Sequence, residues 1–181
     1  MTVYLIRHGK TAGNLTGRYI GTTDEPLCPQ GVAELQTRAY PAVQRVFVSP
    51  MKRCKETASL LYPGVKQIVA PDLRECDFGL FEGKNYAELN GRADYQAWID
   101  SGGELPFPEG ESRKTFAARC VAAFRQAMKN VTEENVAFVV HGGTIMAIME
   151  ACAKPPQNYF CWQVKCGKGF ALETDGSWYP L

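Results

Sequence analysis

The only two histidines of this 181-residue chain lie in the same kind of local sequence. His8 follows "YLIR" and precedes Gly9, while His141 follows "VAFVV" and precedes Gly142. Both runs are rich in β-branched and aromatic residues, which predicts buried strands. Ligands of open α/β sheets bind beyond the carboxyl ends of the strands. We therefore expect both imidazoles to face one crevice if the two strands are neighbours.

Two arginines lie close to the same predicted sheet edge. Arg7 directly precedes His8, and adjacent side chains of a strand face opposite ways, so the pair can share a site only if the strand ends there. Gly9 suits such an ending. Arg53 falls in the first turn of the helix predicted after the strand "RVFVS". A buried anion there would meet the partial positive charge of the helix terminus as well as the guanidinium, although an isolated arginine is more often a solvated surface residue.

A set of acidic residues is embedded in an apolar stretch, "LRECDFGLFEG". The candidates are Glu75, Asp77 and Glu82. A carboxyl group held among apolar side chains has a raised pKa and can serve as a general acid near neutral pH. The residues alone leave open which of the three does so, or whether all are solvated loop acids.

The elements that must position these residues alternate between strand and helix. Strands are predicted over residues 2–7, 45–49, 65–70 and 137–141, and helices over 29–40, 51–62, 112–130 and 144–153. This order predicts an α/β fold, a three-layer sandwich with a mainly parallel central sheet and helices on both faces.

Two regions depart from the alternation. Residues 71–111 are rich in Gly, Pro and acidic residues, with one helix near 92–100, and predict a small cap insertion over the sheet edge. Residues 160–181 predict a hairpin-like tail of short strands. We expect residues 1–181 to form a single domain.

Composition limits the partners. A net charge of +1 gives no basic or acidic field, so we expect neither a nucleic acid nor a membrane partner. The seven cysteines are odd in number and form no C-x-x-C pair, which favours free thiols in the cytoplasm. Because the chain has only two histidines, far apart, we expect no zinc site. No signal peptide or membrane-spanning run is evident. Nothing in the pattern indicates the oligomeric state.

The segments "RHGKT", "SPMKR", "LRECDFGLFEG" and "VVHGGT", in this order, resemble the motifs of the histidine phosphatase superfamily, also called phosphoglycerate mutase-like. They extend from residue 4 to about 148. The resemblance implies the phosphoglycerate mutase-like fold and hydrolysis of a small phosphate monoester through a phosphohistidine, with no metal or cofactor.

The resemblance also implies a role for each residue at the crevice. His8 is the nucleophile, neutral when it attacks, with its other ring nitrogen donating to a backbone carbonyl. Arg7 and Arg53 bind the phosphate, and His141 donates to the transferring phosphoryl group, best as a cation. Glu75 matches the acid that protonates the leaving oxygen and then activates water.

Further residues receive secondary roles. Asn14 matches a family asparagine that donates to phosphate, and Thr11 and the Gly142 backbone are additional phosphate contacts. Glu82 is expected to brace its loop, with Asp77 ranked behind Glu75 as the acid. Thr144 is predicted as the N-cap of the last helix.

The substrate is less constrained. Residues 17–31 resemble a segment of small bacterial phosphatases that include alpha-ribazole phosphatases, so alpha-ribazole 5′-phosphate is one candidate. Tyr19 and Ile20 either contact a ring-bearing leaving group or pack within their own loop. Met146 stands where many relatives carry arginine, and Lys10 where many carry glutamate, so the substrate cannot be transferred directly.

Two alternatives remain. A cofactor-dependent phosphoglycerate mutase would need basic residues for a second phosphate, and the insertion offers few: Arg74, Lys84 and Arg92. A non-catalytic phospho-ligand binding module is disfavoured because the complete set of catalytic residue types is present. Four further aromatic residues are assigned either to a pocket or to the core: Trp98, Phe107, Tyr159 and Trp162.

Overall fold

A six-stranded sheet forms the centre of the computed structural model, which describes residues 1–132 and 135–181. The strands are β1 (Thr2–Arg7), β2 (Arg45–Val48), β3 (Gln67–Val69), β4 (Val136–Val140), β5 (Gly169–Glu173) and β6 (Trp178–Pro180). Their order is β3-β2-β4-β1-β5-β6. The first four run parallel to one another, and β5 and β6 are antiparallel additions at one edge. The prediction of a mainly parallel sheet is confirmed.

Alternating residues of the strands are buried on opposite faces of the sheet. Val3 and Leu5 of β1 join an apolar cluster with the helices of one face, whereas Tyr4 and Ile6 join the cluster on the other. Burial on both faces explains why the strands are nearly continuous apolar runs. The three-layer arrangement expected from the sequence is therefore present.

The helices are α1 (Ala12–Leu15), α2 (Pro29–Gln36), α3 (Lys52–Leu61), α4 (Tyr86–Leu89), α5 (Ala93–Asp100), α6 (Arg113–Met128) and α7 (Gly142–Cys152). Helices α6 and α7 cover one face of the sheet, and α3 covers the other with α2 packed against it. Within the described ranges, none of these helices has the length and apolarity required to cross a membrane.

The start of α7 corrects one prediction. Its N-cap is His141, whose extended backbone leads directly into the helix at Gly142, so Thr144 is not the cap. Thr144 is instead fully buried in the first turn, with its hydroxyl 3.4 Å from the carbonyl oxygen of Leu73. Gly142 and Gly143 lie before the predicted helix but form its first two residues, and the close approach of Glu75 to Gly143 explains the glycine at that position.

The segment between β3 and α6 forms a third apolar cluster. It contains two 3₁₀ turns, Pro71–Leu73 and Gly79–Phe81, together with α4 and α5. Phe81 is fully buried at its centre, and Phe116 and Ala147 connect the cluster to α6 and α7. The insertion thus lies against the helices beside the carboxyl edge of the sheet.

The C-terminal tail is a hairpin only in its second half. A 3₁₀ turn, Tyr159–Trp162, precedes β5 and β6, which pair antiparallel. Trp162 is fully buried and its ring meets those of Phe170 and Trp178 edge-on. It is therefore a core residue rather than part of a pocket.

Candidate active site

The two histidines meet where β1 and β4 end. These strands are parallel neighbours, and the amide of His8 donates to the carbonyl oxygen of Val140 at 2.9 Å. The two imidazole rings have centroids 5.2 Å apart, and both residues are buried. β1 ends at Arg7, so the strand alternation no longer separates Arg7 from His8. The expected crevice is present at this edge.

His8 is held as a neutral imidazole. Its Nδ1 lies 2.6 Å from the carbonyl oxygen of Gly9, and because a carbonyl only accepts, Nδ1 carries the proton and Nε2 keeps its lone pair. Burial lowers the pKa of His8 well below its usual value, assisted by the charges of Arg53 and Arg7. The amide of Gly9 in turn donates to the hydroxyl of Thr57 at 3.0 Å. The position of His8 is thus fixed through the backbone.

His141 differs from the expectation of a cation. Burial lowers its pKa well below the usual value, with Arg53 and His8 acting in the same direction, so the imidazole is neutral. Its Nε2 lies 2.7 Å from the hydroxyl of Ser49 and 3.5 Å from Sγ of Cys54. Burial and then the charge of Arg53 therefore disfavour an imidazolium in this arrangement, and a cationic His141 in contact with a phosphoryl group stays a prediction.

Arg7 lines a cavity at this edge, and Arg53 lies close enough to both histidines for its charge to lower their pKa values. Arg7 donates from Nη1 to the carbonyl of Val164 at 2.8 Å, and Arg53 donates to three carbonyls of the loop 20–23 at 2.8 to 3.3 Å. Arg53 is fully buried, so the surface interpretation is wrong. Among the described residues, the buried Nε of each arginine has no hydrogen-bond partner. Unsatisfied buried donors of positive charge fit a site for an anion.

Two of the three acidic candidates are committed to the backbone. Glu82 accepts from the amides of Gly21 and Thr23, at 2.9 to 3.1 Å, and so braces the loop that receives Arg53. Asp77 accepts from the amide of Gly79 at 2.9 Å and closes a turn.

Glu75 alone of the three faces the crevice. Its carboxyl accepts from the amide of Cys76 at 3.0 Å and lies 3.5 Å from the amide of Gly143. A Cβ at Gly143 would fall 2.6 Å from Oε1, so a glycine is required for this approach. Burial raises the pKa of Glu75, opposed by the Cys76 amide and by Arg53 and then Arg7. The raised pKa suits a group that donates a proton near neutrality.

The secondary phosphate contacts are arranged as follows. Thr11 and Asn14 form the capping box of α1, with their side-chain oxygens accepting from each other's amides at 3.3 and 3.1 Å. Gly142 lies beside Arg7, since a Cβ there would be 3.5 Å from the guanidinium carbon. The Thr11 hydroxyl thus holds a helix start, whereas Gly142 is in the crevice.

Two adjoining cavities meet at Glu75. Both are lined by Glu75, Gly143, Met146 and Gln163. The first, about 290 Å³, adds Arg7, Gly142 and Val164. The second, about 260 Å³, is lined mainly by aromatic side chains: Tyr19, Phe78, Trp98, Phe107, Phe116, Tyr159 and Phe160. The carboxyl group therefore stands between a charged compartment and an aromatic one.

The aromatic compartment resolves several open alternatives. Tyr19, Trp98, Phe107 and Tyr159 line it, whereas Ile20 packs against α1, where a Cβ on Gly13 would strike it at 2.5 Å. The basic residues of the insertion do not line it. They are engaged elsewhere: Arg74 with Asp72, Lys84 with the Leu80 carbonyl and Arg92 with Asp94.

Sequence reasoning missed three residues. Arg113 lines the aromatic cavity, with its guanidinium 5.5 Å from the ring centroid of Tyr159, and pairs with Glu104. Ser49 and Thr57, which contact His141 and Gly9, were not singled out. Their position in "SPMKRCKETA", directly after β2, was the available signal, whereas nothing local marks Arg113.

Comparison with known proteins agrees with this geometry. The sequence profile described as "Histidine phosphatase superfamily (branch 1)" matches residues 3–176. The chain belongs to the histidine phosphatase superfamily. It shares 27% identity over 183 residues with the adenosylcobalamin/alpha-ribazole phosphatase of Salmonella typhimurium, covering 96% of this chain and 90% of that protein.

Other relatives carry different names. A metal-independent phosphoserine phosphatase of Arabidopsis thaliana is 32% identical over 158 residues, covering 81% of this chain and 66% of that protein. The crystal structure of a phosphoglycerate mutase from Thermus thermophilus superimposes with a TM-score of 0.76 at 28% identity, covering 99% and 96% of the two chains. The chain acts as a phosphomonoesterase, consistent with its superfamily and its phosphatase relatives.

Proposed function

We propose that the chain hydrolyses the phosphate monoester of an alcohol that carries an aromatic ring system, with alpha-ribazole 5′-phosphate as the representative substrate. The observation that carries this proposal is the aromatic cavity that adjoins the charged one at Glu75. An ester bond placed at Glu75 would have its phosphate on the arginine side and its alcohol among aromatic rings. Such walls bury a planar ring and stack against it.

The reaction proceeds in two displacements on phosphorus. The Nε2 lone pair of His8 attacks the phosphorus atom, the ester P–O bond breaks, and Glu75 gives its proton to the departing alcohol oxygen. Glu75 then takes a proton from water as the water oxygen attacks the phosphohistidine, which releases inorganic phosphate and restores neutral His8. Arg7 and Arg53 neutralise the phosphoryl oxygens throughout, and His141 donates one N–H to them.

The same compartments argue against a phosphoglycerate mutase. A mutase must hold a second phosphate beyond the ester oxygen, where this chain presents the aromatic cavity. Arg113 is a basic residue of that cavity, and its charge is already paired with Glu104. Met146 adds an apolar side chain where both cavities meet. These features suit a neutral ring better than a second dianion.

Seven free cysteines, four of them buried, support a reducing compartment, and we propose the cytoplasm as the site of action.

The first test is hydrolysis of p-nitrophenyl phosphate in excess chelator by the wild type and by His8→Ala. We expect metal-independent turnover that falls by at least about 10⁴-fold in the variant, since the covalent route is lost. Lys10→Ala is the matched control, because Lys10 lies two residues away and pairs with Glu34 at 2.7 Å outside the crevice. Equal activity of His8→Ala and the wild type would contradict the phosphohistidine route.

A substrate panel then tests the alcohol. Alpha-ribazole 5′-phosphate, phosphoserine and 3-phosphoglycerate are compared by kcat/KM. We expect kcat/KM of the ring-bearing ester to exceed that of the other two by at least about tenfold. This factor corresponds to roughly 1.4 kcal/mol gained by burying the ring. A preference for phosphoserine would contradict the ring-bearing substrate, and phosphate exchange between glycerate positions would establish the mutase alternative.

A further inference from the structure

Glu75 lies on an irregular stretch, residues 72–77. The only regular element on it is the end of a 3₁₀ turn, Pro71–Leu73. Its carboxyl must nevertheless keep its place between the two cavities, because a shift of about 1 Å in a reacting group can cost on the order of 100-fold in rate. Besides Thr144 of α7, which contacts the Leu73 carbonyl, the side chains that hold this stretch come from α6 and from the loop immediately before it.

Arg119 of α6 holds the amino-terminal side of the stretch. Its guanidinium donates to the carbonyl oxygens of Asp72 at 2.8 Å, Arg74 at 3.1 Å and Glu75 at 3.4 Å. The same group lies over the ring of Phe116, 5.2 Å from the centroid. One side chain therefore satisfies three carbonyls of a short segment that has no sheet or helix partner for them.

Glu111 holds the carboxyl-terminal side. Its Oε2 accepts from the amide of Asp77 at 3.0 Å, and its own amide donates to the Asp77 carbonyl at 2.9 Å. Arg119 bonds to both carboxylate oxygens of Glu111, at 3.0 Å through Nε and 2.7 Å through Nη2. The two side chains are thus joined to each other and hold the stretch on both sides of Glu75. We call Arg119 and Glu111 together the bracket.

The charges of the bracket reinforce each other. Burial acts to raise the pKa of Glu111, but the hydrogen bonds from Arg119 and from the Asp77 amide outweigh it, so the pKa lies below its usual value. Both members are ionised at neutral pH and form a paired, partly buried ion pair. A bidentate pair of this kind fixes direction as well as distance.

We propose that Arg119 and Glu111 are positioning residues for the acid–base group Glu75, acting through the backbone of residues 72–77. The proposal rests on the acid role given to Glu75 above. The planar fork of arginine is required, since a lysine ammonium cannot reach three carbonyls and two carboxylate oxygens together.

The test compares esters that differ in their need for an acid. A p-nitrophenolate leaves without a proton, whereas an alkoxide does not. For Arg119→Lys we expect kcat/KM to fall about tenfold or more with an alkyl phosphate and under about threefold with p-nitrophenyl phosphate. Glu111→Gln should show the same selectivity with a smaller loss. The ratio of the two kcat/KM values does not depend on the fraction of folded enzyme, so reduced stability does not obscure it.

Arg92→Lys is the matched control. Arg92 also forms a bidentate pair, with Asp94 at 3.0 and 2.6 Å, but it lies on the insertion and not against residues 72–77. Its substitution should leave the ratio unchanged. In a Glu75→Gln background, Arg119→Lys should cost little more with the alkyl ester, because the group it positions is already disabled.

The outcomes separate the two levels of the proposal. If Arg119→Lys lowers kcat/KM equally with both esters, or if its effect is undiminished in the Glu75→Gln background, the positioning role of the bracket is wrong. The acid role of Glu75 would remain intact. If Glu75→Gln itself lowers kcat/KM equally with both esters, Glu75 is not the acid, and the bracket then has no acid to position.

Discussion

The phosphate end and the leaving-group end of the site are built differently. At the phosphate end, Arg7 ends β1, His8 and His141 directly follow β1 and β4, and Arg53 lies in the first turn of the helix after β2. Both β1 and β4 pair with a neighbouring strand on each side. At the leaving-group end, most of the aromatic walls come from loops and from the insertion, with Trp98 on the short helix α5, and Phe116 of α6 completes them.

This difference separates chemistry from selectivity. The central strands can position a phosphoryl group only one way, since their register is set by burial on both faces. The aromatic walls contribute no group to the phosphoryl transfer and can change without disturbing the sheet. Such a division is expected to produce relatives that share one fold but are named for different substrates, as alpha-ribazole phosphatase and phosphoserine phosphatase are.

The largest effect is expected at the phosphate end. Arg53→Lys loses the planar fork inside a closed space and should cost about 1.5–3 kcal/mol of transition-state binding, roughly 10- to 150-fold in kcat/KM. The loss should be equal for every phosphate ester, because all share the phosphoryl group. Lys52→Ala, its exposed neighbour on the same helix, should leave the rate unchanged. A loss confined to ring-bearing esters would break the division between the two ends.

The pH profile sharpens the comparison at the junction. His8 must be neutral to attack, and its pKa is lowered. Activity with all esters should therefore persist on acidification to pH values well below the usual pKa of histidine. Glu75 must be protonated, and its pKa is raised, so the rate with an alkyl phosphate should fall about tenfold per pH unit above that pKa. With p-nitrophenyl phosphate the alkaline fall should be much weaker. Identical profiles for the two esters would contradict the acid role.

A smaller and selective effect is expected at the aromatic end. Trp98→Leu removes a ring that lies 5.0 Å from Phe107 between centroids, and we expect KM for a ring-bearing ester to rise about 3- to 10-fold. A small alkyl phosphate should be unaffected. Trp178→Leu is the matched control, because Trp178 packs on Trp162 and Phe170 away from the cavity. If both variants change the selectivity between the ring-bearing ester and the alkyl phosphate equally, the aromatic wall does not contribute to substrate recognition.

Sequence and structure agree where contacts follow from local pattern. His8 and His141 end apolar runs, and parallel strands bring such ends together, so their meeting could be predicted. The place of Arg53 follows from the same reasoning, since it lies in the first turn of the helix after β2. Its burial, however, depends on the loop 20–23 and its brace Glu82, which the sequence only suggested.

The remaining features depend on distant contacts. Arg119 and Glu111 meet residues 72–77 across 34 to 47 positions of sequence, and neither lies in a recognisable motif. Arg113 reaches the cavity for the same reason. The neutral state of His141 also could not be predicted, because it follows from how tightly two arginines and a second histidine are enclosed with it. The assignment of the chain to a single domain stays a prediction.

The last effect concerns stability rather than rate, and it tests whether the phosphate end is as enclosed as its pKa values indicate. His8 and His141 have pKa values below those of the unfolded chain, so on acidification below about 6.5 the unfolded state binds protons first. Unfolding free energy should therefore fall, by up to about 1.4 kcal/mol per pH unit and histidine. The raised pKa of Glu75 acts in the opposite sense, because there the folded state binds the proton first.

The measurement is accordingly made in the Glu75→Gln background, by urea unfolding at about pH 7 and about pH 5.5. Adding His8→Asn should remove roughly half of the decrease, since one of two buried imidazoles is gone. An unchanged decrease would show that the imidazole of His8 is open to water, which would contradict the enclosure of the phosphate end.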